Sequence, residues 1–305
     1  MSLVLDDVSK TFATGPAVTS MSFEVPRGAV FGLLGPNGAG KTTMIRMILD
    51  IIRPDGGRLL WDGHDVAGLP RLTFGYLPEE RGLYPDMPVA EQIAFFGEVS
   101  GLSRRDAQAR TMRWLERMDV TEHAAKPVAA LSKGNQQKIQ LLAALVHEPE
   151  LLILDEPFSG LDPVNHALLR EVLPELQEAG TTIVLSTHDL EQVESLCDAL
   201  ALINRSRLVF AGPVTDLRAR HGGRRSVRVL FRGDERGLCR EIGDLATERA
   251  HDGWLALTCA DGTSADELAR GALRHGELAE LRTVEPTLRE IFLQETASES
   301  SEMAR

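Results

Sequence analysis

The sequence predicts an α/β protein: a mostly parallel sheet core carrying a helical subdomain, followed by a small α+β domain. Three observations carry this expectation. Over the first 212 residues, short apolar runs alternate with helix-like stretches. The longest apolar runs, at 151–154 and 199–203, have the length of buried strands, well short of the roughly 18–20 residues that span a bilayer. After Ala211-Gly212-Pro213 the rhythm changes to short strands and polar helices.

In chain order, residues 3–5, 21–25 and 29–34 are apolar enough for strands. Residues 41–52 have helical spacing and meet the turn-forming Arg53-Pro54-Asp55-Gly56-Gly57. Residues 58–61 read as another strand. From about 79 to 147 the pattern is helical, with helices expected over 90–99, 104–118 and 132–146. Strands return at 151–154, 182–185, 200–204 and 207–210, with helices between several of them. Beyond 213, strand-like runs at 226–231 and 254–259 alternate with polar helices over 234–242 and 264–274. A last helix is expected from Pro286, with Leu288, Ile291, Phe292 and Glu295 on neighbouring positions. The expected division is a domain over 1–212, its helical subdomain at about 79–147, an accessory α+β domain over 213–296, and a frayed polar tail over 297–305.

Composition narrows the function. With 43% hydrophobic and 26% charged residues, the chain has the make-up of a soluble globular protein. The N-terminus lacks the regions of a secretory signal. Cys197, Cys239 and Cys259 are odd in number and far apart, so neither a disulfide framework nor a metal cluster is expected, and a reducing cytosol is the natural compartment. A net charge of −12 argues against nucleic-acid binding, which uses clustered Lys and Arg. Residues 218–232 are a local exception, with six arginines and no acid. They read as a solvated linker, with contact to anionic lipid or an acidic partner loop as the sharper alternative.

The chemistry is concentrated in a few short segments. Gly35, Pro36, Asn37, Gly38, Ala39, Gly40, Lys41 and Thr42 satisfy G-x-x-x-x-G-K-[ST], after an apolar strand and before a helix. Glycines let the backbone wrap phosphates, and the helix N-terminus adds positive potential. Lys41 reaches the β and γ phosphates, and the Thr42 hydroxyl is placed to ligate Mg²⁺. Downstream, an apolar strand ends in Asp155 and Glu156. Such a strand delivers its last residues to the ligand crevice, so Asp155 is expected on Mg²⁺ and Glu156 on the attacking water. Another apolar strand ends in Ser186-Thr187-His188-Asp189, which makes His188 a candidate for the γ-phosphate.

These residues, with Ser159-Gly160-Leu161-Asp162, resemble the nucleotide-binding subunits of ABC transporters over roughly residues 2–212. The most diagnostic segment is Leu131-Ser132-Lys133-Gly134-Asn135, where the family commonly has L-S-G-G-Q. The resemblance implies a P-loop NTPase cassette that hydrolyses ATP with Mg²⁺, and nucleotide contacts along the loop as far as Thr43. It implies a head-to-tail dimer in which Ser132 and Gly134 face the γ-phosphate held by the opposite copy. Asp162 is implied in the nucleotide site, and Phe12 stands where the family stacks an aromatic on adenine.

Two departures stand out: Lys133 and Asn135 replace a glycine and a glutamine, and Glu79 takes the place of a glutamine near Mg²⁺. With the segments at 75–84 and 285–292, the chain is similar to ATPase subunits of ABC-2-type exporters, of the sodium-efflux and drug-resistance branches, which carry a comparable C-terminal extension. The resemblance implies an integral-membrane permease on a separate chain and a cytoplasmic place on the inner face of the membrane. Tyr84, Phe95 and Phe96 mark the 79–97 segment as the expected surface for that partner, the alternative being that Phe95 and Phe96 pack the helical region.

A soluble ABC ATPase acting on the ribosome or DNA is the alternative. Single-cassette architecture weighs against the ribosome class. Only about 90 residues separate Lys41 from Leu131, too few for the long coiled coil of the DNA-repair class. Acidic charge weighs against both, and a non-catalytic ATP-binding module is disfavoured by Glu156 and His188.

Overall fold

The computed structural model describes residues 2–80, 82–159, 161–221, 226–242, 247–249, 254–258, 265–284, 288 and 291. The chain divides into two compact units, Met1–Pro213 and Val214–Arg305. Among the described residues, no helix is long and apolar enough to cross a membrane. The expected helix start at Pro286, with Phe292 and Glu295, lies outside the described residues, as do Cys259 and the tail.

The first unit is built on a six-stranded sheet. Its strands are β3 (Val30–Leu34), β6 (Phe74–Leu77), β7 (Leu151–Asp155), β8 (Thr182–Thr187), β9 (Ala199–Asn204) and β10 (Arg207–Pro213), in the order β10-β9-β3-β8-β7-β6. Only β10 runs antiparallel to its neighbour. β3, β7, β8 and β9 are buried along their whole length. That burial on both faces explains why they read as continuous apolar runs. The strand period of two divides their side chains between two cores. Leu151, Ile153 and Val184 face one, while Leu152, Leu154, Ile183 and Leu185 face the other.

The first core is closed by α1 (Lys41–Ile48) and by an antiparallel sheet of β1 (Ser2–Phe12), β2 (Gly15–Pro26), β4 (Gly56–Trp61) and β5 (His64–Asp65). Phe23 of β2 stacks on Phe31 of β3, with ring centroids 5.6 Å apart. The helix expected over 41–52 stops four residues early. Asp50 takes φ 52°, a left-handed geometry that ends a helix, and the Ile51 and Ile52 amides donate to the Arg46 carbonyl.

The second core is closed by α2 (Val89–Val99), α3 (Arg104–Arg117), α4 (Lys133–Leu145) and α5 (Pro163–Glu178), followed in the chain by the short α6 (Leu190–Leu196). Each of α3, α4 and α5 begins at a side-chain cap, Ser103, Ser132 and Asp162 respectively.

His147, just after α4, ties this layer to β6. Its Nε2–H donates to the Phe74 carbonyl at 3.0 Å, and its Nδ1 is buried without a partner among the described residues. The ring is therefore neutral, and burial holds its pKa below the usual 6.5. Because the unfolded chain takes up the proton first, this contribution is complete above about pH 6.5 and fades as pH falls below it. His147→Gln should cost about 1 kcal/mol near neutrality. Denaturant melts should show the gap to wild type narrowing toward pH 5; a pH-independent gap counts against a neutral buried ring.

The second unit opens with α7 (Val214–His221). It continues as β11 (Ser226–Gly233), α8 (Glu235–Ile242), β12 (Thr247–Arg249), β13 (Trp254–Thr258), α9 (Ala265–His275) and β14 (Gly276–Val284). The β-α-β-β-α-β order with sheet order β12-β13-β11-β14, antiparallel throughout, is the split β-α-β arrangement. Val227, Val229, Phe231 and Leu255 of the sheet pack with Leu238 of α8 and Leu268 and Ala272 of α9.

Candidate functional site

The register of the parallel strands assembles the site. Leu34 lies opposite Thr187, and Asp155 opposite Ser186. Gly35, Glu156 and His188 therefore leave the sheet at the same edge, where an α/β sheet takes its ligands. Residues 36–43 wrap a cavity of about 310 Å³, completed by Ala17, Glu79, Asp155 and Glu156. Gly40 caps α1 with φ 109°, and a Cβ there would stand 2.2 Å from the Ala17 carbonyl oxygen. Both facts require glycine.

Lys41 is 7% exposed, and its Nζ donates to the carbonyls of Gly35 at 2.6 Å and Pro36 at 3.4 Å. Burial lowers its pKa, while Glu156, Asp155 and Glu79 pull it back up. The Thr42 hydroxyl donates to Asp155 Oδ2 at 3.4 Å. Asp155 is 2% exposed, and burial raises its carboxyl pKa, with Glu79 and Glu156 acting in the same direction and Lys41 against them. The field reaches Tyr76 on β6, whose phenol is pushed up to about 12, by burial first and Asp155 next. Three carboxylates thus surround one ammonium. That balance suits a cation entering together with phosphates.

Glu156 sits at φ 50°, in the left-handed region that strains a non-glycine residue. Two contacts hold it there. Its backbone N–H donates to the Ser186 carbonyl at 2.9 Å, and its Oε1 lies 2.8 Å from His188 Nδ1. Thr187 Oγ1 faces Glu156 Oε2 at 3.5 Å and Gln192 Oε1 at 3.0 Å, and accepts from the Asp189 N–H at 3.0 Å.

Other expected residues lie elsewhere than the cavity wall. Ser132 caps α4 by accepting from the Asn135 N–H at 3.3 Å. Gly134 is buried, and a Cβ there would come 2.5 Å from Asn165 Nδ2 and 3.1 Å from Asp162 Oδ2. Asp162 caps α5, accepting from the Asn165 N–H at 2.9 Å and its Nδ2 at 2.7 Å, bonds that keep its carboxyl below the usual range. Gly134 and Asp162 therefore meet in a second cluster, bridged by Asn165. Phe12 ends β1 half exposed, with Lys10 Nζ 5.7 Å from its ring centroid. Asp55 secures that strand end, accepting from Lys10 Nζ and the Thr11 N–H at 2.7 Å each.

A family model described as ABC transporter matches residues 18–159. The uncharacterized ABC transporter ATP-binding protein YhaQ of Bacillus subtilis (strain 168) is 40% identical over 296 residues, 97% of this chain and 99% of that protein. The chain belongs to the ABC transporter ATP-binding proteins. This family hydrolyses ATP to power transport, so the chain is an ATPase with a P-loop NTPase fold. A second family model, ATP-binding protein DrrA1-3-like, C-terminal domain, matches residues 212–296. The daunorubicin resistance ATP-binding protein DrrA3 of Streptomyces coeruleorubidus is 33% identical over 305 residues, covering 97% of this chain and 96% of that one. A solved ATP-binding subunit of an ABC transporter superposes with TM-score 0.68 at 32% identity, over 73% of this chain and 94% of its own.

In this ABC ATPase the structure brings together at one cavity Pro36, Asn37, Gly38, Ala39, Gly40, Lys41, Thr42, Thr43, Glu79, Asp155 and Glu156. Gly35 joins through its carbonyl and His188 through Glu156. Arg81, two residues from Glu79 in the sequence, lies outside the described residues, as does Gly160. Sequence reasoning missed Ala17, whose carbonyl limits Gly40 from within a hairpin that carries no motif. It also missed Asn165, three residues past Asp162, whose signal was only its place in the first turn of α5.

Proposed function

We propose that this ABC ATPase binds ATP with Mg²⁺ in the 310 Å³ cavity and closes head to tail on a second copy. The closure drives export through a permease on a separate chain, at the inner face of the cell membrane. One observation carries the reading: Lys41, the Thr42–Asp155 pair and Glu156 converge on a single glycine-lined cavity at the sheet edge.

The donor set fits the metal. Thr42 and Asp155 offer hard oxygens, and among the described residues no group of three His, Cys, Asp or Glu holds a metal alone. That suits an ion which completes its shell with phosphate and water oxygens. Thr42 and Asp155 would hold Mg²⁺, which when bound would supply neutralising charge to the phosphates. Lys41 leaves the Gly35 carbonyl and turns its charge to phosphate. The loop N–H groups and the start of α1 hold phosphate oxygens. Glu156 accepts the proton of the attacking water, and His188 keeps that carboxylate aimed. Glu79 adds an oxygen near the metal and disfavours nucleotide that arrives without it. Ser132 and Gly134 lie off the cavity wall, which agrees with a role toward the opposite copy's nucleotide. Phe12 offers its exposed ring to adenine.

The drug-resistance relative supports export, and two surfaces support a membrane partner. A groove of about 550 Å³ is lined by Leu49, Ile51, Leu69, Phe74 and Val99 among others, and Ile51 and Val99 are more than half exposed. Tyr84, Phe95 and Phe96 pack on one another with centroids 5.7–6.2 Å apart, leaving Tyr84 51% exposed. Aromatic anchors of this kind are common at interfaces. Photo-crosslinkers at Ile51 and Tyr84, used in native membranes, should capture a multi-span protein. Capture of ribosomal or DNA-bound proteins instead would reject the permease reading.

A further inference from the structure

The approach to the Ser132 cap is held by a ribbon of backbone hydrogen bonds. The Val89 N–H donates to the Lys126 carbonyl at 3.0 Å, and the Ala90 N–H to Ala124 at 2.9 Å. From the other side, the Val128 N–H donates to Met87 at 3.2 Å and the Ala129 N–H to Pro85 at 2.9 Å. Residues 85–90, at the entry to α2, are thus fastened to residues 124–129, which run directly into Leu131 and Ser132.

One side chain then locks this ribbon to α4. His123 ends a short 3-10 turn, Thr121–His123, and its side chain is 18% exposed. Its Nδ1 lies 3.1 Å from Lys126 Nζ, and its Nε2 lies 3.0 Å from Asn135 Nδ2 and 3.5 Å from Glu122 Oε1. An ammonium has only protons to give, so Nδ1 accepts from Lys126 and the ring proton sits on Nε2. An Nε2–H cannot bond to Nδ2, so the hydrogen-bond partners assign the Asn135 amide with its oxygen and nitrogen exchanged, and the oxygen accepts from that N–H. The same residue's backbone N–H is the one that Ser132 Oγ accepts. A hydroxyl that accepts on the inner side keeps its own proton free to donate outward. Asn135 is therefore gripped at its side chain by His123 and at its backbone by Ser132, which fixes both the place and the direction of the Ser132 hydroxyl.

We infer that His123 is a positioning residue for the ATPase reaction: through Asn135 it fixes the start of α4, and with it the Ser132 hydroxyl that completes the opposite copy's nucleotide site. The inference rests on the head-to-tail dimer proposed above. It assigns a role to Asn135, and it joins the α2 entry, beside the exposed Tyr84, to the Ser132 cap by a continuous chain of bonds.

The test uses the full chain, with two readouts that a general loss of structure would move together. The first is binding of a fluorescent ATP analogue with Mg²⁺ at protein concentrations too low for dimers. The second is the ATP concentration giving half-maximal dimer in a Glu156→Gln background. His123→Ala and Asn135→Ala should each raise the second about 3- to 10-fold, the scale of one hydrogen bond, and leave the first within about twofold. The double variant should be no worse than the stronger single, because the two act as one unit. His123→Gln, which keeps a side-chain donor, should recover most of the loss.

Additive effects, no shift in either single variant, or an equal loss in both readouts would overturn the assignment. Ser132→Ala separates it from the reading beneath. If Ser132→Ala weakens dimer formation and His123→Ala does not, only the positioning role fails. If Ser132→Ala has no effect, the dimer reading fails and takes the role with it.

Discussion

Glu156→Gln should bind Mg·ATP at least as tightly as wild type while losing about 100-fold or more in turnover, the scale of a general base. The change is nearly isosteric. The amide oxygen still accepts from His188 Nδ1 at the position of Oε1, and the backbone at φ 50° stays pinned by the Ser186 carbonyl. What disappears is the proton acceptor. One of three carboxylates around Lys41 disappears with it, which eases repulsion toward an incoming triphosphate. ATP should therefore persist in the site, and the copies should accumulate as a dimer held by unhydrolysed nucleotide. Phosphate release, nucleotide titration and light scattering with ATP measure the three parts. Turnover surviving at more than a tenth of wild type would remove Glu156 as the base. Tight binding without any dimer would reject the head-to-tail arrangement.

The elements legible in the sequence were those whose burial leaves a continuous mark. β3, β7, β8 and β9 are covered on both faces, so each reads as an unbroken apolar run. β1 extends far beyond its apolar residues 3–5, because the stretch to Phe12 is held by backbone pairing across bulges and leaves several polar side chains outside. β14 was invisible for a related reason. At the edge of its sheet, Glu277, Glu280 and Arg282 point to solvent, and little but Leu278 and Leu281 reaches the core. The end of α1 was misplaced because Ile51 and Ile52 continue the apolar period past Asp50, whose left-handed backbone has already ended the helix.

At the site, legibility followed contiguity. The residues from Gly35 to Thr43 are adjacent because one turn must wrap one anion, so their chemistry is written in a row. The pairing of Glu156 with His188 across 32 residues, of Gly134 with Asn165, and of His123 with Asn135 depends on which elements lie side by side. No local pattern encodes those neighbours. His188 was expected on phosphate by its place at a strand end, and the structure adds that its Nδ1 meets the Glu156 carboxylate.

Lys41→Ala should weaken Mg·ATP binding about 10- to 100-fold, as expected for losing a charged hydrogen-bond donor worth about 1.5–3 kcal/mol, and should abolish measurable turnover. In the structure the ammonium is buried and satisfied by the Gly35 and Pro36 carbonyls. Its removal spares the fold the desolvation of a buried ammonium, burial being the main influence on it. The larger effect falls on the cavity, where Asp155, Glu156 and Glu79 then line one space with no lysine or arginine of the described residues in its wall. A triphosphate entering that space meets three carboxylates with no lysine to offset them until a metal accompanies it. The variant's residual binding should therefore depend more steeply on Mg²⁺ than wild type's, and adding Glu79→Gln should restore part of it. Titration of a fluorescent nucleotide at several Mg²⁺ concentrations reads both effects, with a thermal melt as the control for folding. A folded Lys41→Ala protein with wild-type affinity would mean that the phosphates bind outside this loop, and the cavity assignment would fall with it.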